Sequence, residues 1–232
     1  MAIIWALLPN MANAEIRKVY NPPIAWMGAS AGYLSGPNFG NYRDYLNNYY
    51  NDLGSSERIS NFGGGAAFNL ELKNFFSSHF AYGLFFTAGN FNTDQIFNFR
   101  DNGDYQVLEE YQLKYGQFGA DFSFSPVDTR RSRLVPYVTV GGLLSSGVLD
   151  VLYSEDSPNG RRSWSYNENT FDIGYRFGAG LVFPVSTSLA LHANSFYSYS
   201  RLKFNADFDP DEPINIKGGQ WFTGVGIVYL YK

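Results

Sequence analysis

The side chains that could support catalysis are few in this 232-residue chain. It has two histidines, His79 and His192, and no cysteine, so no disulfide framework or cysteine-based metal site can form. Any Ser–His chemistry would need one of the two histidines. His192 lies in the stretch His-Ala-Asn-Ser, which ends at Ser195, whereas His79 stands in a short polar segment and is interpreted as solvated. We predict that the chain is not an enzyme and uses no cofactor.

Three aspartates near the C-terminus have the alternate spacing with which a calcium-binding EF-hand loop begins: Asp207, Asp209 and Asp211. The sixth position of such a loop requires Gly and the twelfth requires Glu, but Glu212 and Gly218 occupy them here. We therefore interpret the segment as a solvated acidic loop and expect no metal site, with calcium as the alternative.

Four segments share one template in which small residues alternate with large apolar ones: FGGGAAF at 62–68, FGADFSF at 118–124, FGAGLVF at 177–183 and TGVGIVY at 223–229. Period-two alternation places the large residues on one face and the glycines on the other. None of the four has the glycine order of a phosphate-binding loop that opens a helix. The segments are predicted strands, with glycines toward a narrow barrel interior and large residues toward lipid.

Four further alternating segments lie between these copies, so eight strands are predicted in all: 25–34, 59–72, 79–93, 107–125, 135–152, 168–183, 189–204 and 216–231. Their joins are alternately short (73–78, 126–134 and 184–188) and long (35–58, 94–106, 153–167 and 205–215). The pattern predicts an all-β fold, an eight-stranded antiparallel transmembrane β-barrel over residues 25–232. It would have four long external loops and three short periplasmic turns.

Composition agrees with export to a membrane and excludes nucleic acid as a partner. The chain has 21 Phe, 18 Tyr and 4 Trp against 17 Lys plus Arg, and its formal charge is -4. Basic residues cluster only at Arg130, Arg131 and Arg133. Residues 1–14 are apolar and end in Ala-Asn-Ala, which predicts a signal-peptide remnant. Residues 15–24 then form a periplasmic N-terminal lead.

The alternation also predicts which side chains face lipid and which face the lumen. Aromatic residues expected at the lipid interfaces are Phe68, Phe124, Phe183, Tyr229 and Trp221, and the seventh-position aromatics of the template are expected at one depth. Charged residues expected in the lumen are Glu71, Lys114, Asp121, Asp172 and Arg176. We predict that Arg176 pairs with Asp121 and that these charges neutralise one another and close the lumen, with a hydrated lumen as the alternative.

Three segments need separate interpretation. Strand four changes phase, with Tyr111, Leu113 and Tyr115 facing outward, which predicts a β-bulge near Gly116 or Gln117. Strand five is apolar on both parities, so its facing stays open. The first loop predicts a short amphipathic helix at the mouth or the interface, with apolar residues Phe39, Tyr42, Tyr45, Leu46, Tyr49, Tyr50 and Leu53.

The eight alternating segments and two aromatic girdles resemble the small eight-stranded outer-membrane barrels of the OmpA/OmpX/OmpW kind. The resemblance implies a porin-like, non-enzymatic barrel in the outer membrane of a Gram-negative cell, acting as a structural or surface-interaction scaffold or as a narrow small-solute pore. It implies outer-membrane lipids, lipopolysaccharide and the barrel-assembly machinery as partners, and it leaves room for an extracellular ligand at the cell-surface loops.

Two other function classes stay open. Outer-membrane lipid A deacylases are similar in architecture and carry a His-x-Ser pair on the lipid-facing surface. In this chain Ser195 is three residues beyond His192, and His192 is expected to face the lumen. A secreted lipocalin-like barrel would instead line its cavity with the apolar residues and present the glycine face to water.

Overall fold

The computed structural model describes residues 25–38, 40–99, 105–129, 132–157, 159–205 and 214–231. The proposed signal peptide and lead, Phe39, Arg130, Arg131 and the three aspartates considered for calcium lie outside these residues. The strands are β1 (Ala25–Leu34), β2 (Gly65–Phe75), β3 (Phe80–Phe99), β4 (Tyr105–Phe124), β5 (Val135–Ser157), β6 (Gly160–Pro184), β7 (Leu189–Phe204) and β8 (Ile214–Tyr231). They pair antiparallel in chain order and β8 pairs with β1. The predicted eight-stranded antiparallel barrel is confirmed.

The joins differ at the two ends of the barrel. At one end lie the three short connections, at 76–79, 125–134 and 185–188. At the other end, two of the predicted long loops are wrong, because β3 and β4 pair without a break from Phe80↔Phe124 to Phe99↔Tyr105, and β5 pairs with β6 as far as Ser157↔Gly160. Residues 94–99 and 105–106 of one hairpin, and 153–157 and 160–167 of the other, continue the alternation as paired strand and therefore extend the hairpins.

The outer face of β3 changes from apolar to mostly polar along the strand. The outward Tyr82, Leu84 and Phe86 are exposed, and beyond Gly89 the outward residues are Asn90, Asn92, Asp94 and Ile96. At about 3.4 Å per residue, the apolar stretch from Phe80 to Ala88 is about 27 Å long, which suits the apolar band of a tilted membrane strand. The hairpins therefore extend beyond this lipid-facing band.

The same change of polarity explains an error on β4. The strand keeps a continuous register with both β3 and β5, so the predicted bulge near Gly116 or Gln117 is absent from it. Tyr111, Leu113 and Tyr115 are buried inside the barrel, where they had been predicted to face outward. Above the apolar band, most large apolar side chains point inward and most polar ones point to water. The two faces of the strand therefore exchange polarity, while the alternation of inward and outward residues continues unbroken.

Strand β5 alternates from its first residue, which answers the question of its facing. Val135, Tyr137 and Leu143 are buried in the lumen, whereas Val138 and Val140 are exposed on the outer face. Both faces of the strand are apolar because one meets the barrel core and the other meets lipid.

A helix, α1 (Asn41–Asp52), closes the end of the barrel opposite the short turns. Tyr42, Leu46 and Tyr50 are buried within a large apolar cluster that fills this end of the lumen, while Tyr49 and Leu53 are exposed. The helix predicted from the first loop is therefore present, with one face plugging the mouth. No helix in the described part of the chain is long and apolar enough to cross a membrane.

Glycines of the repeated template make room for rings inside the narrow lumen. A Cβ atom on Gly180 would lie 2.4 Å from the ring of Tyr137, and one on Gly119 would lie 2.6 Å from the ring of Phe85. Such distances exclude a side chain at Gly180 unless the ring moves, and at Gly119 a Cβ atom would also lie 2.2 Å from the backbone oxygen of Gly142. The alternation of glycines with large outward residues therefore follows from filling a small barrel with aromatic side chains.

Candidate functional site

Four charged side chains meet in the lumen between the plugged mouth and the short-turn end. The Arg176 guanidinium donates through Nη2 to Glu71 Oε1 at 2.6 Å and to Asp121 Oδ2 at 3.2 Å. Lys73 Nζ donates to Asp121 Oδ1 at 2.6 Å and to Ser123 Oγ at 2.8 Å. Two cations and two anions give this lumen network a formal charge of zero, as a low-dielectric interior requires.

Two aromatic rings enclose the arginine of the lumen network. The centroids of Phe85 and Phe196 lie 3.7 Å and 4.1 Å from Arg176 Cζ, so the guanidinium is held between ring faces. Arg176 and Lys73 are both 0% exposed. Asn69 Oδ1 accepts a further hydrogen bond from Arg176 Nη1 at 3.2 Å. Ions and rings together occupy the cross-section of the barrel at this level.

The structure brings together three of the five charged residues predicted for the lumen: Glu71, Asp121 and Arg176. Lys114 was assigned to the wrong face, since it projects from the outer wall above the apolar band and donates to Asp150 Oδ2 at 2.8 Å. This hydrogen bond holds the pKa of Asp150 below its ordinary value. The error has the same source as the absent bulge: Tyr115 was predicted to face outward, so its neighbour Lys114 was assigned to the lumen.

Asp172 lies on the inner side of β6 but outside the lumen network. Its Oδ2 accepts a hydrogen bond from the backbone amide of Arg201 at 2.6 Å. Pairing of β6 with β7 ends at Tyr175↔Tyr199, so Asp172 bridges the two strands just above the point where they separate.

Lys73 is the network member that sequence reasoning missed. It was assigned to the first short turn, but β2 continues to Phe75 and places Lys73 two residues beyond Glu71 on the inner face. The signal was available in the alternation of Asn69, Glu71 and Lys73, three polar residues on the parity of the template glycines.

All five predicted interface aromatics point outward and are exposed: Phe68, Phe124, Phe183, Tyr229 and Trp221. They do not share one depth. Phe124 ends β4 and Phe183 lies one residue before the end of β6, whereas Phe68 pairs with Ala31 and Ala88 in the middle of the wall. Proline follows closely after Phe124 and Phe183 and ends those strands, but β2 runs seven residues beyond Phe68.

Neither histidine is placed for Ser–His chemistry. His192 is buried in the lumen with its Nε2 2.6 Å from Tyr137 Oη, while Ser195 has the opposite parity and its Oγ contacts Thr223 Oγ1. His79 lies in the first short turn with Nδ1 3.0 Å from the carbonyl oxygen of Ser125. Within the described residues, no group of three or more acidic or histidine side chains is arranged to hold a metal ion.

A cleft of about 460 Å³ opens at the mouth, between α1 and the extended hairpins. Its walls carry aromatic rings from the helix and from four strands: Tyr45, Tyr49, Tyr50, Phe99, Tyr105, Tyr111, Tyr153 and Trp164. The ring of Tyr153 stacks on that of Trp164 with centroids 5.1 Å apart, and the ring of Tyr50 stacks on Phe97 at 3.9 Å. The rings are therefore held by neighbours that belong to the rigid wall.

One buried carboxylate lies at the inner end of this mouth cleft. Glu109 Oε2 accepts a hydrogen bond from Tyr111 Oη at 2.6 Å, and its Oε1 accepts a short one from Tyr50 Oη. Burial is the largest influence on Glu109 and raises the pKa of its carboxyl, and burial also raises the pKa of the Tyr50 hydroxyl. No lysine or arginine of the described residues forms an ion pair with Glu109.

Comparison with known proteins gives structural neighbours only. No family model and no curated protein matches the chain. The solved structures that resemble it include the outer membrane protein OprG from Pseudomonas aeruginosa, with 10% identity, 92% of this chain and 100% of that chain covered, and a TM-score of 0.48. Neisserial surface protein A has 12% identity, coverage of 90% and 97%, and a TM-score of 0.42. Ail, the attachment invasion locus protein of Yersinia pestis, has 18% identity, coverage of 88% and 98%, and a TM-score of 0.39. The likeness is one of fold.

Proposed function

We propose that this protein is a non-enzymatic outer-membrane barrel that serves as a closed scaffold and holds a ligand-binding cleft at the cell surface. Residues 25–232 would form the membrane domain, 15–24 a periplasmic lead and 1–14 the remnant of the export signal. Outer-membrane lipids and lipopolysaccharide would contact the apolar band, and the barrel-assembly machinery would insert it. Exposed outward residues such as Phe122, Val140 and Ile173 support this placement, because water would not favour so large an apolar surface.

The filled lumen is the observation that carries the closed-scaffold part of the proposal. The mouth is plugged by α1 and its apolar cluster, the centre by the lumen network, and the short-turn end by a second cluster that includes Trp26, Tyr137 and Leu230. An ion crossing this interior would have to displace paired charges and packed rings together. The geometry therefore supports a scaffold over a small-solute pore.

The two other function classes receive less support. A lipid-facing catalytic pair would need His192 on the outer wall, but it lies in the lumen and contacts Tyr137. A lipocalin-like soluble barrel would need a polar outer wall, but the band around the described barrel is apolar. Binding at the mouth agrees with both the geometry and the general use of loops on a rigid support for recognition.

Single cysteines test location, orientation and closure together, because the native chain has none. Leu53→Cys is at the mouth, Thr187→Cys is in a short turn and Ser198→Cys is in the lumen. A membrane-impermeant maleimide should label Leu53→Cys on intact cells and Thr187→Cys only after lysis. Ser198→Cys should react only after unfolding.

The heat-dependent gel shift of folded barrels serves as the folding control for each cysteine variant. Labelling of Thr187→Cys on intact cells would contradict the proposed orientation. Labelling of folded Ser198→Cys would contradict closure.

A further inference from the structure

Two features of the mouth cleft bear on the kind of ligand it could bind, and the first is its aromatic wall. Eight rings line the cleft, and two of them, Tyr153 and Trp164, stack on each other. Ring faces carry negative electrostatic potential and attract cations within about 6 Å of the ring centroid, with Trp the strongest. Tyr49 and Trp164 are 49% and 39% exposed, so the wall can be reached from outside the cell surface.

The second feature is the buried carboxylate of Glu109. Its two oxygens accept hydrogen bonds from Tyr50 and Tyr111, which fix the carboxylate without supplying a positive charge. Burying a carboxylate is costly unless a cation compensates it. At the inner end of an aromatic cleft, that cation can come from a ligand.

The other charged side chains that line the cleft do not offset the charge of Glu109, so the lining has a negative net charge. Glu155 and Arg162 are directly opposite each other on β5 and β6, so their charges offset locally. In its ionised form, Glu109 then carries the one uncompensated charge among the described residues that line the cleft. An anionic ligand would be repelled by Glu109, and a neutral apolar ligand would leave its charge unpaired.

We propose that the mouth cleft binds a small organic cation, a quaternary ammonium or a protonated amine with apolar substituents, whose charge lies between the aromatic rings and the Glu109 carboxylate. This inference rests on the proposed surface-binding function and specifies its ligand class. The cleft volume falls in the ordinary range of small-molecule sites. The neighbouring Tyr50 is part of the plug helix, so an occupied cleft would also hold α1 in the barrel mouth.

The test compares choline with 3,3-dimethylbutan-1-ol, a neutral molecule of the same shape, by calorimetry on the full-length protein refolded in an uncharged detergent. Choline should bind more tightly than the neutral compound by about tenfold or more. Glu109→Gln should remove this preference. The matched control is Glu110→Gln, the adjacent carboxylate on the exposed outer face, which should leave choline binding unchanged.

A second variant, Trp164→Leu, keeps the test valid if Glu109→Gln does not fold, and it should weaken choline binding while Glu109 stays in place. Equal affinity for the two compounds, abolished by Trp164→Leu, would overturn the cation assignment while retaining an apolar surface cleft. Binding of neither compound would overturn the cation assignment too. In that case the maleimide labelling pattern still reports on the closed surface scaffold.

Discussion

Replacing Asp121 by Asn should be among the most destabilising single changes of a charged residue in this barrel. Asp121 contacts both cations of the lumen network, Lys73 at 2.6 Å and Arg176 at 3.2 Å, and its side chain is 0% exposed. The variant would leave two buried cations with one carboxylate, Glu71. Removing one partner of a buried ion pair costs about 3 to 5 kcal/mol, chiefly because the remaining charge stays desolvated.

A matched pair on the outer wall provides the control for this prediction. Lys114 and Asp150 are also a lysine and an aspartate 2.8 Å apart, but their side chains are 59% and 32% exposed. Exposed pairs contribute about 0 to 1 kcal/mol, so Asp150→Asn should change the free energy of unfolding little. Charge neutrality supplies a second check, since adding Lys73→Met to Asp121→Asn restores balance and should recover about 0.5 to 3 kcal/mol.

Urea unfolding from lipid vesicles, followed by tryptophan fluorescence and by the gel shift, measures each of these free energies. Equal losses for Asp121→Asn and Asp150→Asn would refute the reasoning, because the lumen would then hydrate the unpaired cations. A double variant whose loss of unfolding free energy exceeds the sum of the two single losses would also refute it. The Arg176–Glu71 ion pair would then not be stable without the Lys73–Asp121 pair.

Three further predictions concern the wall, the mouth cleft and the first loop. Leu84→Arg, in the apolar band, should lower the free energy of unfolding in vesicles by about 2 to 4 kcal/mol. Asn92→Arg, on the same outer face beyond the band, should lower it by under about 1 kcal/mol. Equal losses for the two variants would show that the band has been assigned to the wrong part of β3. Burial raises the pKa of Glu109, so choline affinity measured by calorimetry should increase with pH as this carboxyl ionises. The groups that face it are its two hydrogen-bond donors, Tyr50 and Tyr111, and the charged residues Glu155 and Arg162 of the cleft. Glu109→Gln should abolish the increase. Hydrogen bonds from Ser55 and Asn98 lower the pKa of Glu57 from 4.5 to about 2, so they stabilise the first loop above pH 4.5 and lose that effect as the pH falls toward 2; the hydrogen-exchange protection factors of residues 53–64, which are corrected for the intrinsic effect of pH, should fall over that interval in the parent and stay constant in Glu57→Gln.

The strands could be predicted from the sequence because a lipid-facing wall imposes a strict alternation. Phe118, Ala120 and Phe122 face outward while Gly119 and Asp121 face inward, and no other arrangement places glycine and a charge in a narrow lumen. The number of strands and the three short turns follow from that alternation. The ends of the hairpins do not follow, because outside lipid a strand obeys the opposite rule of polar outside and apolar inside.

The contents of the lumen were predictable only in part. Parity alone placed Glu71, Asp121 and Arg176 on the inner face, but it could not rank partners, and the shortest contacts proved to be Arg176 with Glu71 and Lys73 with Asp121. Which partners meet depends on the stagger between strands that are distant in the chain, and Glu71 and Arg176 are 105 residues apart. The mouth cleft could not be predicted for the same reason, since it is formed by α1 and four strands, β3 to β6, and depends on packing between distant residues such as Tyr50 and Phe97.

Single-channel recording in planar bilayers tests the closed lumen most directly. The refolded native protein, shown to be inserted by its resistance to added protease, should give no current steps above the bare bilayer at either polarity. Regular, ohmic steps from the native protein would contradict the account, because ions would then be passing the level of Arg176, Lys73 and their two carboxylates.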